Sequence, residues 1–257
     1  MAEGVQYRVE SQVATITIDR PDRLNALDTR AIDLLSSLFE RAGADSGVRV
    51  VVLTATGTRA FCVGADLKEM NHSESLPDAS APRARGMRLF DSIQHTYKPT
   101  IAALNGVALG VGCEIALACD LRIAASAATL GLPEAKLGLG SMFGSVILPR
   151  LIPRAVALQM LYTGESITAA QAQHWGLVNS VVDGVELQAH VRELARSIVA
   201  NAPLSVSRFK HLAVKCAELP LAVALRMDVG PDPYTSQDRA EGVRAFVEKR
   251  PPRWRGE

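Results

Sequence analysis

The chain has no Cys-x-x-Cys pair, and neither its 4 cysteines (Cys62, Cys113, Cys119, Cys216) nor its 5 histidines fall at metal-ligand spacings. No zinc site and no disulfide framework is therefore expected, no metal is called for, and reduced thiols in the cytoplasm are the default. Charge of one sign is also missing: 28 Lys and Arg against 27 Asp and Glu leave +1, which gives no electrostatic reason to expect a nucleic-acid partner. The apolar run from Pro99 to Cys113 is too short and too rich in Pro, Asn and Gly for the ~18 apolar residues of a membrane span, so no membrane partner is expected. The opening MAEGVQYRVE has no apolar leader segment and no signal or transit peptide is expected. Nucleotide chemistry has no motif either. Gly138-x-Gly140-x-x-x-Gly144 misses the dinucleotide fingerprint, and neither a Walker loop nor a Gly-x-Ser-x-Gly elbow occurs.

What is present is enough apolar material for a large core: 257 residues with 48% hydrophobic and 21% charged side chains. Tyr7, Val9, Val13, Thr15, Ile16 and Ile18 alternate with polar residues and predict a strand hairpin. Asp28 can cap a helix carrying Ile32, Leu34, Leu35, Leu38 and Phe39 at helical spacing, ending near Gly43. VRVVVLTATG and KPTIAALNG read as central strands, each followed by a glycine loop and a helix, a repetition that argues for α/β. Residues 71–86, polar and interrupted by Pro77 and Pro82, are expected to form a mobile loop, a lid or rim. Beyond about Thr163 the pattern becomes helical, giving an expected division into an α/β core over 1–195 and a helical subdomain over 196–257.

Two segments could carry chemistry. Gly106-Val-Ala-Leu-Gly110-Val-Gly112-Cys-Glu114 places three glycines before a helix whose first N–H groups lack partners, a place able to hold an oxyanion, with a carboxylate in the first turn. GLPEAKLGLG puts a second carboxylate, Glu134, in apolar surroundings. Taken singly, each glutamate is more simply read as structural; brought together by the fold, two carboxylates can share acid–base work. Burial among Gly, Leu and Pro would make Glu134 hold its proton more firmly than Glu114 at a helix start. Arg23, Lys68 and Lys98 are basic residues able to meet phosphates, though solvated surface charge is the simpler reading of each.

AFCVGADLKEM, NGVALGVGCEIALACDLRIA, LGLPEAKLGL and DRAEGVRAFVEKRPPRW, in this order across nearly the whole chain, resemble the enoyl-CoA hydratase branch of the crotonase superfamily. The resemblance implies a spiral of ββα units with a helical C-terminal trimerisation region, assembled as a homotrimer or a hexamer made of two trimers. It implies that Ala65 and Val111 donate backbone N–H groups to a thioester carbonyl and that Asp66, Leu67 and Lys68 line the coenzyme A side. Glu114 and Glu134, twenty positions apart, correspond to the two catalytic glutamates. The implied reaction adds water to a trans-2-enoyl-CoA to give a 3-hydroxyacyl-CoA, as in fatty-acid β-oxidation, with coenzyme A as part of the substrate and no separate cofactor.

Two departures from that pattern bear on the outcome. Val111 stands where the family usually has Gly, and GLGSMFGSVILPR replaces the usual Pro-Gly and Gly-Gly-Thr-Gln-Arg stretch, so that Met142 and Phe143 are expected to reshape the acyl pocket. Isomerases of the superfamily keep one acid at the Glu134 position and lack the other, so the presence of both favours hydration. The alternatives are an isomerase, a dehydratase of an unusual acyl-CoA, and a non-catalytic acyl-CoA-binding scaffold.

Overall fold

The computed structural model of the chain describes residues 4–66 and 80–257. The predicted hairpin is β1 (Val5–Glu10) and β2 (Val13–Ile18), antiparallel with Val5 opposite Ile18. The Asp28 side chain accepts from the Ala31 N–H at 2.8 Å and starts α1 (Thr29–Ala44), whose Ala31, Leu35, Leu38, Phe39 and Ala42 are buried.

Three successive stretches then each supply one strand to each of two sheets. β3 (Val50–Ala55), β5 (Thr100–Leu104) and β7 (Leu121–Ala125) run parallel beside β2 in a six-stranded sheet of order β1-β2-β3-β5-β7-β10, closed by β10 (Ser180–Val182). Their partners β4 (Ala60–Cys62), β6 (Val107–Leu109) and β8 (Thr129–Gly131) run parallel in a second sheet, with β9 (Ile167–Thr168) antiparallel at its edge. Helices α2 (Ser80–Gln94), α3 (Val111–Ala118) and α4 (Gly144–Leu151) follow these strand pairs in turn. The chain is thus α/β and advances as a spiral of ββα turns.

β3 and β5 are buried along their whole length, and the period of two sorts their side chains between two cores. Val51, Leu53, Ala102 and Leu104 face the larger core with α1, α2 and α3; Val50, Val52, Ile101 and Ala103 face the other side. That side is covered by Leu187, Val191 and Ala195 of a helix placed after α5 (Arg154–Thr163) and α6 (Ala169–His174), namely α7 (Leu187–Val199). The expected boundary at 195/196 therefore falls inside a helix that belongs to the sheet, because its apolar stripe continues through Ala195. The remaining helices, α8 (Pro203–Lys215), α9 (Leu221–Ala224) and α10 (Gln237–Val247), bury little apolar surface. They are attached through polar ties: the buried Lys210 Nζ reaches Asp120 Oδ2 and the Lys98 carbonyl, both at 2.9 Å, and Arg49 donates to the carbonyls of Val199 and Trp254.

The expected loop over 71–86 needs correction where it can be seen. Residues 71–79 lie outside the described residues, but from Ser80 onward the chain is helical. Pro82 stops nothing, since in the first turn its missing N–H would have had no partner within the helix.

Candidate active site

Two loops meet backbone to backbone at the ends of β4 and β6. A Cβ on Gly112 would stand 2.1 Å from the Cys62 carbonyl oxygen, and one on Gly64 would stand 3.2 Å from the Leu109 carbonyl oxygen and 3.6 Å from the Val111 nitrogen. Only glycine lets the strands approach so closely, and Gly64 also has φ +106°. The contact places two unpaired amides near each other. Leu27 donates to the Gly64 carbonyl and accepts from the Asp66 N–H, both at 2.9 Å, so in this parallel bridge the Ala65 N–H points away from Leu27. Val111 is the first residue of α3, where N–H groups have no acceptor within the helix. Among the described residues neither amide has a hydrogen-bond acceptor. The β-branched side chain of Val111 packs partly against the main core and leaves this donor in place.

Glu114 follows in the first turn of α3 and is buried at 2% exposure. Its Oε1 accepts three hydrogen bonds: from the Ser141 hydroxyl at 2.5 Å, the Phe143 N–H at 3.0 Å and the Gly144 N–H at 2.8 Å. The N-terminus of α4 is thus aimed at this carboxylate. At the far end of α3, the buried Arg122 guanidinium donates to the carbonyls of Ala116 at 3.1 Å and Cys119 at 2.7 Å, holding the helix that carries Glu114.

Glu134 lies in the short 3-10 turn Pro133–Leu137 and is half-buried. Its Oε1 would be 3.2 Å from a Cβ on Gly110, and its buried Oε2 has no hydrogen-bond partner among the described residues. Burial, with the negative charge of Glu114 adding to it, raises its proton affinity above that of an ordinary carboxyl. This is the direction expected from the sequence. Both carboxylates also act on the fully buried Cys113, whose thiol is pushed up by desolvation first and then by Glu114 and Glu134. The two glutamates thus share one electrostatic neighbourhood.

The other predicted site residues are distributed as follows. Asp66 is buried, and its carboxylate is paired with Arg23 at 2.7 Å and, more distantly, with Arg20 at 3.9 Å. Leu67 and Lys68 lie outside the described residues. The Phe143 ring is buried and stacks on Phe90 of α2, with centroids 4.6 Å apart, while the Met142 Cε lies 2.9 Å from where a Cβ on Gly86 would be. Both side chains of the altered segment therefore pack against α2. Lys98 is not a free cation for phosphate: its Nζ donates to the carbonyls of Ala42 and Asp45 at the end of α1, because the loop before β5 passes directly beneath that helix terminus. A cavity of about 950 Å³ lies elsewhere, among the end of α1, α2 and α8; Lys98 lines it, but Ala65, Val111, Glu114 and Glu134 do not.

Sequence reasoning missed Ser141 and Gly144. A hydroxyl three positions before a glycine that opens a helix was the signal, but its target, Glu114, lies 27 residues earlier.

Residues 8–257 match the family model described as enoyl-CoA hydratase/isomerase. The chain is 41% identical to (E)-benzylidenesuccinyl-CoA hydratase of Thauera aromatica, over 98% of this chain and 99% of that protein. It is 37% identical to short-chain-enoyl-CoA hydratase of Clostridium acetobutylicum, over 94% and 93% of the two chains. It is 36% identical to carnitinyl-CoA dehydratase of Escherichia coli along the full length of both. Among solved structures, an enoyl-CoA hydratase from Bacillus anthracis superimposes with a TM-score of 0.93 at 33% identity, covering 99% of this chain and 100% of that one. The ββα spiral is the crotonase fold, and the chain belongs to the enoyl-CoA hydratase/isomerase family.

Proposed function

We propose that the protein is an enoyl-CoA hydratase that adds water across the 2,3 double bond of a trans-2-enoyl-CoA. The observation that carries this reading is the pairing of two carboxylates in unlike surroundings with two unpaired amides: Glu114 with three donors on one oxygen, Glu134 with none on its buried Oε2. Water attack at Cβ sends negative charge onto the thioester oxygen, and the Ala65 and Val111 amides are preorganised donors for it, each such donor commonly contributing about 10²–10³ in rate. Glu114 takes the proton from the attacking water. Glu134, whose burial makes it hold a proton more firmly, delivers one to Cα. The named relatives act as hydratases or dehydratases of CoA thioesters, and dehydration is the same chemistry run backwards. Met142 and Phe143 belong to the acyl side of the pocket through their packing on α2, and Asp66, with Leu67 and Lys68, to the coenzyme A side.

The same reading includes a homotrimer or a hexamer built from trimers. Phe209, Leu221, Val243, Phe246 and Val247 of the C-terminal helices, and Leu225 just after α9, are exposed, with Phe246 at 86%, apolar side chains that subunit contacts would cover. A monomeric mass by light scattering would overturn it.

The activity is tested by mixing the protein with crotonyl-CoA and following loss of the conjugated thioester absorbance. Rapid loss with formation of 3-hydroxybutyryl-CoA is the expected result. A protein that leaves crotonyl-CoA unchanged, but whose Tm that compound raises, would be a thioester binder whose reaction or acyl group differs from the one proposed.

A further inference from the structure

We infer that Ser141 is a positioning residue for Glu114: its hydroxyl locks the rotation of the Glu114 carboxylate, so that one oxygen is held by the protein and the other is presented to the reacting water. The inference rests on the hydratase reading for what the presented oxygen does, but not for how the carboxylate is held.

The three donors on Oε1 are of two kinds. Phe143 and Gly144 supply backbone N–H groups at the start of α4, which any residue but proline would supply. Ser141 supplies the only side-chain donor, at the shortest distance of the three, 2.5 Å. Adjacent amides at a helix start attract a carboxylate but approach it from one side. The terminal torsion of a glutamate is broad and roughly two-fold, so two such donors leave the group free to swing. A third donor from a residue outside the helix removes that freedom. Among the described residues no hydrogen bond reaches Oε2, which is therefore the oxygen left for a ligand.

The surroundings fix Ser141 in its turn. The Ser145 hydroxyl donates to the Ser141 carbonyl at 2.6 Å, tying its peptide to the first turn of α4. Gly144 clears the space the hydroxyl occupies: a Cβ there would stand 2.5 Å from Ser141 Oγ and 2.7 Å from Leu132 Cδ1. A serine, a glycine three positions later and a carboxylate from α3 thus form one unit, and a side chain at 144 is incompatible with the hydroxyl in its place.

Ser141→Ala and Ser141→Thr, compared with the parent on an enoyl-CoA that the parent hydrates, test the assignment. A lost hydrogen bond to a charged group corresponds to about a 10- to 100-fold fall in kcat for the alanine variant. KM stays within about twofold because Ser141 is not a substrate contact. Threonine, which keeps the hydroxyl, restores most of kcat. In a Glu114→Gln background, Ser141→Ala produces no further loss, the sign that both act through one group. Unchanged kcat in Ser141→Ala, or a full additional loss in the Glu114→Gln background, would overturn the inference. If the parent hydrates no enoyl thioester, the proposed function fails and the positioning claim is read from crystal structures instead. A Glu114 carboxylate rotated by more than about 30° in Ser141→Ala supports it, and one that stays in place overturns it.

Discussion

Glu114 and Glu134 carry the same side chain into regions built in opposite ways. Around Glu114 the chain converges: the carboxylate sits in the first turn of α3, receives the N-terminus of α4 and a serine hydroxyl, and is shut away at 2% exposure. Around Glu134 the chain turns aside, a short 3-10 turn after Pro133 that leaves one buried carboxylate oxygen without any donor among the described residues. One region surrounds its carboxylate with three donors, while the other buries a carboxylate oxygen that no donor among the described residues reaches. Backbone geometry around identical side chains thus sets how each carboxylate is surrounded, and at Glu134 burial raises the proton affinity.

The largest expected effect comes from removing each charge while keeping the shape. Glu114→Gln and Glu134→Gln are each expected to lower kcat for enoyl-CoA hydration by about 10²–10⁴, the usual contribution of a positioned general acid or base. If the two act as one unit in a single water addition, as proposed, the double variant should lose much less than the product of the two single losses. Turnover of Glu134→Gln close to that of the parent would break the division of labour between the two regions.

A methyl group added to each region's glycine gives a smaller effect that differs in kind. Gly110, at φ +53° and ψ −128°, has a backbone that side chains rarely tolerate, and its Cβ would press on Glu134 Oε1 at 3.2 Å. Gly110→Ala should destabilise the fold by about 1–3 kcal/mol, read as a drop in denaturant midpoint. Gly144→Ala meets Ser141 Oγ and the tips of Leu132 and should reproduce the kcat loss of Ser141→Ala. A Gly144→Ala protein with parental kcat would separate the glycine from the Glu114 cradle.

How much of this was legible in the sequence depends on where each signal is carried. β3 and β5 could be read because a strand buried on both faces is a near-continuous apolar run, and α1 because Asp28 and the apolar spacing mark a helix locally. The two glutamates became candidates through the motifs around them, since either carboxylate alone reads as structural. The cradle of Glu114 was not legible, because two of its donors are backbone amides and their acceptor lies 29 and 30 residues away. Nor was the fate of the basic residues: Lys98 and Arg49 end on buried or half-buried carbonyls and Lys210 on the Lys98 carbonyl and the Asp120 carboxylate, which only tertiary packing decides. The sheet-facing stripe of α7 was divided for the same reason, as its helical pattern resembles that of the appended helices until the sheet beneath it is known.

The smallest effect is also the sharpest discriminator, because its sign differs between the two regions. In the folded protein Glu134 holds its proton more firmly than in the unfolded chain, chiefly through burial and secondarily through the charge of Glu114. The stability linked to this group is therefore fully present below the unfolded carboxyl range, near pH ~4.3, and is lost as pH rises through the higher folded value. Above the unfolded carboxyl range, the burial of Glu134 therefore works against the fold. Glu134→Gln should accordingly melt at a higher temperature than the parent at pH 7, with the gap closing as the pH is lowered into the ordinary carboxyl range. Glu114→Gln should melt lower than the parent at pH 7, since three hydrogen bonds to a carboxylate become weaker bonds to an amide. Thermal melts of the three proteins across this range decide the matter. Two variants shifted in the same direction at neutral pH would mean that burial, and not the placement of donors, governs both glutamates.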